Sequence, residues 1–211
     1  MVVVCCCFFF CNSKPLKRTN SLASNDNYIY ICESRGVRLG LRSRCRGHSS
    51  FVTDISISKD DKYVMSNDGA GEILFWDVKT GKREPRLKRT KNMTYGPNSC
   101  PLSYATKGVW PYDSDLTDIN AVEFWDDVGL GVAADDFGKV HLFNAPSMSW
   151  GAPSMVHRGH SAHVTNCSFT CDKSRVISVG GGDRCCFVWR VVRTDDGDGG
   201  GGGDEHFHDD Y

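Results

Sequence analysis

"GHSSFVTDISISKDDKYVMSNDGAGEILFWD", residues 47–77, is the stretch whose reading decides the fold. It opens on a Gly-His pair and runs through the alternating "FVTDISIS" (51–58). It then turns at "KDDK", continues as "KYVMS" (62–66) and closes on "GEILFWD" (71–77). Alternation of apolar and polar residues over short runs, bounded by turn residues, is the period of antiparallel strands and not of a helix. The same order of parts returns as "TDINAVEFW" (117–125), "LGVAA" (130–134) and "GKVHLFN" (138–144). It returns again as "HVTNCSFT" (163–170), "RVISV" (175–179) and "RCCFVWR" (184–190).

The first and third units both begin with Gly-His, Gly47-His48 and Gly159-His160, and lie 28 residues (His48 to Trp76) and 29 residues (His160 to Trp189) from their closing tryptophan. A Gly-His loop, three strands and a closing Trp-Asp-like dipeptide form the signature of WD-repeat propeller blades. "YIYIC" (28–32) reads as the third strand of an earlier blade and "VRLGLRSRC" (37–45) as its outer strand. The expected fold is therefore all-β, a partial WD-repeat β-propeller of about three to four antiparallel, four-stranded blades. The 211 residues fall short of the roughly 250–300 that a six- or seven-bladed ring needs. The reading expects a fragment whose missing blades come from a longer protein or a partner.

In such a blade the loop His, a strand hydroxyl, a turn Asp and the closing Trp form a buried hydrogen-bonded chain, which satisfies polar groups that would otherwise cost stability. The first unit offers His48, Ser66 and Trp76 but has Ala70 at the expected Asp position. The third offers His160, Asp183 and Trp189 but has Val179 at the expected hydroxyl position. The middle unit lacks the His and ends in Phe143. Looser blades that lean on apolar packing are expected.

Forty per cent apolar and 24% charged residues describe an ordinary globular chain. The net charge of -1 hides a split: residues 1–192 hold 24 basic against 19 acidic groups, whereas 193–211 carry seven acidic residues and one Arg. That Gly-rich tail (193–211) is expected to be disordered. The N-terminal segment (1–27), apolar at "MVVVCCCFFFC" and basic after it, is expected to be poorly ordered. Its apolar run is too short to span a bilayer. The propeller portion is placed at 28–192. Eleven cysteines without disulfide spacing read as reduced, buried thiols of an intracellular protein. The Pro-, Asn- and Ser-rich connection 88–107 is expected to be a surface loop.

"GVWPYDSDLTDINAV" (108–122), "DDFGKVHLF" (135–143), "GHSAHVTN" (159–166) and "SVGGGD" (178–183) together resemble the C-terminal portion of the echinoderm microtubule-associated protein-like family, over residues 28–192. Leu116 stands where that family usually has Gly, and Val179 where it often has Thr. The resemblance implies a tandem, atypical propeller that binds tubulin or microtubules in the cytoplasm, other proteins docking on the propeller surface. It also implies that "VWPYDSDLTDIN" replaces the missing Gly-His loop of the middle blade. There Trp110 packs inside, and Asp115 or Asp118 accepts backbone N–H groups.

No nucleophile elbow accompanies Ser178, His160 and Asp183, so blade hydrogen bonding is read in preference to a serine hydrolase. His157, His160 and His163 fall on strands and a loop, without metal spacing. No catalytic residue, cofactor or metal is expected. Two basic runs remain as a partner-binding candidate, Arg35, Arg38, Arg42, Arg44 and Arg46, and Lys82, Arg83, Arg86, Lys88, Arg89 and Lys91. They are expected on outermost strands at the rim, where charge either guards the strand edge or docks an acidic polymer. Nucleic acid has no supporting motif, and neither a membrane nor nucleic acid is an expected partner. The alternative is a generic scaffold that never touches tubulin.

Overall fold

The computed structural model describes residues 19–35, 38–86, 90, 93–96, 98–193 and 205–209. The chain divides into two compact units, Met1–Tyr104 and Ala105–Tyr211. The first holds two antiparallel sheets, β1(Thr19–Ala23)-β2(Tyr28–Arg35)-β3(Arg38–Arg46) and β4(Val52–Ile57)-β5(Tyr63–Asp68)-β6(Ile73–Asp77). The second holds β7(Ile119–Trp125), β8(Leu130–Asp135), β9(Lys139–Asn144) and β10(Ser154–Arg158) in sequential order, then β11(Val164–Phe169), β12(Arg175–Gly180), β13(Cys186–Arg193) and β14(Glu205–Asp209). The all-β, partial propeller expected from the sequence is the fold observed, with every pairing antiparallel.

The repeats agree in backbone detail. Each inner strand carries a bulge at its second residue, between Val52 and Asp54, Ile119 and Ala121, and Val164 and Asn166. The last residue of the second strand faces the first of the inner strand in every case: Asp68 opposite Val52, Asp135 opposite Ile119, Gly180 opposite Val164. This register aligns the three repeats residue for residue along their second strands.

Among the described residues two sheets are four-stranded, both within 119–209, and two are three-stranded. In the second sheet a fourth strand begins and stops. The Asp77 N–H donates to the Lys82 carbonyl (2.9 Å), the Glu84 N–H to the Phe75 carbonyl (2.8 Å), and Arg83 bridges Trp76. Pro85 follows and has no N–H to continue the ladder. Described residues of the two flanking segments also form strands. At the N-terminal side β1 pairs along β2, Thr19–Ala23 opposite Glu33 to Ile29. The acidic tail contributes β14, which pairs residue by residue with Trp189–Arg193 of β13. A strand edge recruits any chain able to complete its ladder, whatever its composition suggests.

Within the first unit Ala23, Ile29, Ile31, Cys45, Val52, Ile55, Val64, Leu74, Trp76 and Val78 form one core spanning both sheets. In the second, Leu130, Val132, Ala134, Val140 and Leu142 pack against Val164, Cys167, Val176 and Trp189. Strand β8 is consequently buried on both faces along its whole length, whereas β12 alternates buried and exposed. Ile177 and Val179 are 39% and 36% exposed, although their register equivalents Val132 and Ala134 are 0% exposed.

The described residues of the connection 88–107 are largely buried and do not form the expected surface loop. Tyr95 and Cys100 pack on Met65 and Phe75, and Asn98, Ser99 and Thr106 are buried as well. Ser99 donates its N–H to Ser56 Oγ (2.9 Å) and its hydroxyl to the Ile55 carbonyl (3.0 Å), while Asn67 exchanges two hydrogen bonds with the Leu102 backbone (2.9 Å each). The segment covers the second face of β5, as β11 covers β8. Its polar side chains serve the buried backbone groups that such a covering segment must satisfy.

Candidate functional site

Three histidine networks sit at the ends of the second strands. In the third repeat, His160 Nε2 lies 2.8 Å from Ser178 Oγ, which also accepts the Trp189 indole N–H at 2.8 Å, and His160 Nδ1 lies 2.8 Å from Asp183 Oδ2. The chain of four expected polar groups is therefore complete here, contrary to the sequence reading, with Ser178 and not Val179 as the hydroxyl. Val179 points the other way by strand alternation. A Cβ at Gly180 would stand 1.9 Å from Asp183 Oδ1 and 2.6 Å from His160 Nδ1, so only glycine leaves the pair room.

In the first repeat His48 Nε2 lies 2.6 Å from Ser66 Oγ, and the Trp76 indole N–H donates to the same oxygen at 2.8 Å. The aspartate missing at position 70 is supplied by Asp68, whose Oδ2 lies 3.1 Å from His48 Nδ1. Asp68 also accepts N–H groups from Ser50 (3.2 Å), Ala70 (3.0 Å) and Glu72 (2.8 Å). Burial opposes its charge, but these donors prevail and hold the carboxyl below its ordinary value.

The middle repeat has a network the sequence reading missed. Asp135, the register equivalent of Asp68, accepts the N–H groups of Phe137 (2.9 Å) and Lys139 (2.7 Å) and meets His141 Nε2 at 2.8 Å. The histidine comes from β9 instead of a preceding loop. Phe143 replaces the tryptophan, and a Cβ at Gly131 would stand 2.3 Å from its ring. The signal was present as Asp two residues after the inward small residue, in "SND" (66–68) and "AAD" (133–135).

The loop leading into β7 is tied down at both ends. Trp110 is buried, and the backbone of 105–110 pairs with that of 147–152, Gly108 N–H to the Ser147 carbonyl (2.8 Å) and Ala152 N–H to the Gly108 carbonyl (3.0 Å). Asp118 accepts the Ser114 hydroxyl (2.9 Å), and Asp115 accepts both the N–H (2.9 Å) and the hydroxyl (2.6 Å) of Thr117, which lowers its pKa. Leu116 sits at φ 67, the left-handed region that favours glycine.

Ser178 is fully buried with its oxygen engaged by an indole N–H. A nucleophile must be reachable by a carbonyl carbon, so this geometry does not support the hydrolase alternative. The cysteines divide: Cys32, Cys45, Cys100 and Cys167 are buried, and burial raises their pKa, that of Cys45 to about 12. Cys171, Cys185 and Cys186 are exposed instead of packed.

Of the basic residues, Arg38, Arg42, Arg44 and Arg46 are exposed along β3, an outer strand of its sheet, while Cys45 between them is buried. The Arg44 and Arg46 guanidinium groups lie 4.8 and 6.0 Å from the Tyr28 ring centroid, cation–π distances that hold their planes in place. Lys82, Arg83 and Arg86 are exposed. The turn before them lies against β3: Ser43 donates its hydroxyl to the Val78 carbonyl at 3.4 Å, and a Cβ on Gly81 would stand 3.2 Å from the Arg44 carbonyl. Two basic runs distant in sequence thus meet. Arg86 is chelated by Glu84 at 2.7 and 3.1 Å, which consumes part of its charge. Lys88, Arg89 and Lys91, and the side chain of Arg35, lie outside the described residues. No helix among the described residues is long and apolar enough to cross a membrane.

Comparison with known proteins fits this architecture. Residues 10–191 match the family model of the echinoderm microtubule-associated protein second beta-propeller. Echinoderm microtubule-associated protein-like 1 of Rattus norvegicus is 40% identical over 174 residues, covering 82% of this chain and 21% of the relative. Echinoderm microtubule-associated protein-like 4 of Homo sapiens is 41% identical over 175 residues, covering 82% and 18%. The chain thus spans about a fifth of the length of these relatives. Among solved structures, the computationally designed Ika8 protein aligns over 84% of this chain and 57% of its own, with a TM-score of 0.55 and 18% identity, a likeness of fold alone. The chain belongs to the echinoderm microtubule-associated protein second beta-propeller family.

Proposed function

We propose that this chain is a non-enzymatic interaction module that docks on microtubules, in the cytoplasm, through the basic surface formed by β3 and the turn at 82–83. The observation that carries the reading is that the turn leading into Lys82 and Arg83 lies against Ser43 and Arg44 of β3, the strand along which Arg38, Arg42, Arg44 and Arg46 are exposed. The similarity to echinoderm microtubule-associated protein-like 1 and 4 supports the microtubule as the acidic partner. A concentrated basic surface raises the local concentration of an acidic polymer, and the attraction is screened beyond about 8 Å at physiological ionic strength.

Co-sedimentation with microtubules across a salt series tests this. The chain is expected to pellet at low salt and to release as salt rises. Replacing Arg42, Arg46, Lys82 and Arg83 together with Glu is expected to abolish pelleting while leaving the circular dichroism spectrum intact. Unchanged pelleting of the reversed variant would remove the basic surface as the mechanism. Failure of the parent chain to pellet at any salt would favour a scaffold that assembles other proteins.

A further inference from the structure

We propose that His48, Asp68 and Glu72 form a binding site for a divalent cation of the zinc type at the Gly-His loop of the first repeat. The three ligand atoms lie within 4.8 Å of one another. The hydrogen bonds around Ser66 leave two arrangements for the imidazole. Ser66 Oγ accepts the Trp76 indole N–H at 2.8 Å and has the Leu74 carbonyl at 3.4 Å as the outlet for its own proton. When Ser66 uses that outlet, the contact at 2.6 Å is a donation from His48 Nε2 and the other ring nitrogen, Nδ1, carries a lone pair; when Ser66 donates to Nε2 instead, Nδ1 carries a proton that a bound ion displaces. Nδ1 is buried, has no hydrogen-bond partner, and faces Asp68 Oδ2 at 3.1 Å and Glu72 Oε2 at 3.7 Å.

Two carboxylate oxygens and a buried imidazole nitrogen without a hydrogen bond converge on one place, which a metal ion can fill on displacing a proton. Their separations suit ligands placed about 2.0–2.2 Å from one tetrahedral zinc ion, with a fourth position left to water. The Glu72 side chain is 38% exposed and gives the ion a path from solvent. The carboxylates are held in place beforehand. Glu72 Oε2 accepts the Ser49 N–H at 3.0 Å, Asp68 Oδ2 that of Ser50 at 3.2 Å, and Asp68 Oδ1 those of Ala70 at 3.0 Å and Glu72 at 2.8 Å. The bond from Nε2 to Ser66 orients the ring as outer partners of metal-binding histidines do.

The third repeat is an internal control. His160 Nδ1 is hydrogen-bonded to Asp183 at 2.8 Å, and Cys185 stands four residues before the closing tryptophan, where the first repeat has Glu72. Among the described residues no second carboxylate is grouped with that imidazole. A bound ion in the first repeat would clamp the loop at 48–50 to the turn at 68–72.

The experiment uses the whole chain, stripped with EDTA and titrated with Zn2+ by calorimetry and with Co2+ by visible absorption. One equivalent is expected, with the d–d bands of a four-coordinate cobalt ion and a Tm raised by zinc. Glu72→Gln keeps an amide oxygen for the Ser49 N–H. It is expected to weaken binding by more than about a hundredfold, beyond the effect of losing an outer partner, without lowering Tm in EDTA. Asp183→Asn is expected to bind as the parent does. No uptake of either ion would overturn the proposal. Uptake that survives Glu72→Gln would equally overturn it, placing the ion elsewhere.

Discussion

The first and third repeats build the same buried polar chain by different routes. In both, a Gly-His loop delivers an imidazole to a serine that also receives an indole N–H, at distances of 2.6–2.8 Å. They differ in the carboxylate. In the first it comes from the strand end, two residues after the serine, as Asp68. In the third it comes from the turn, five residues after, as Asp183, with Gly180 at the strand end. The conserved element is thus the place of the charge beside the ring and not its place in the chain. Hydrogen-bond satisfaction constrains atoms, and a turn one residue longer can supply the same atom.

The largest effect should test the shared half of the comparison. Ser66→Ala and Ser178→Ala each leave a buried indole N–H and an imidazole nitrogen without their partner, at an expected cost of about 2–4 kcal/mol. Urea unfolding of the two variants should give closely similar losses. A loss below about 1 kcal/mol in one alone would show that the two networks do not carry equal weight.

A smaller effect should separate the halves that differ. Asp68 serves three backbone N–H groups besides its histidine, and Asp183 serves two, those of Cys185 and Ser161. In EDTA at neutral pH, Asp68→Asn is therefore expected to lose more stability than Asp183→Asn. Both carboxyls sit below the ordinary value of 3.8. Their contribution is present above that value and is lost as pH falls through their lowered pKa values, because the unfolded chain there binds more protons. The gap between each variant and the parent should close on acidification into that range. A gap that stays constant would mean that the carboxylate charge plays no part.

The smallest effect concerns the middle repeat, which has neither route and enters its inner strand through the loop at 108–118. Leu116 at φ 67 carries a left-handed penalty of about 1 kcal/mol, which glycine would remove while adding freedom to the unfolded chain worth about 0.4–1 kcal/mol. Leu116→Gly should shift the urea midpoint only slightly, towards stability. A clear loss would mean that the leucine side chain contributes packing.

The strand ladder was legible because alternation survives in every repeat, and His48, Ser66, Trp76, His160, Asp183 and Trp189 were legible because two repeats share their spacing. Asp68 was not, and Ser178, although read as a blade hydrogen-bonding residue, was not recognised as the hydroxyl of the chain, since a fixed template assigns each role to one offset while the backbone reaches the imidazole from several. The pair Asp135 and His141 was hidden for the same reason, its histidine coming from β9. The polar composition of 88–107 concealed a covering segment, because buried backbone needs polar partners as much as exposed backbone does. Strand β14 lies in a glycine-rich acidic tail, and its pairing is set by the open edge of β13. Composition carries no trace of such an edge.

The absent Cβ at Gly180 has a consequence for how this chain and its relatives can diverge. Carboxylate placement at the strand end and at the turn exclude one another sterically, since any side chain at 180 collides with Asp183 and His160. Passing from one wiring to the other by single substitutions requires an intermediate with crowded like charges or with an imidazole stripped of its counter-charge. Each repeat is therefore locked into its own history, and swapping one residue between repeats will damage a blade that swapping the whole turn would leave sound.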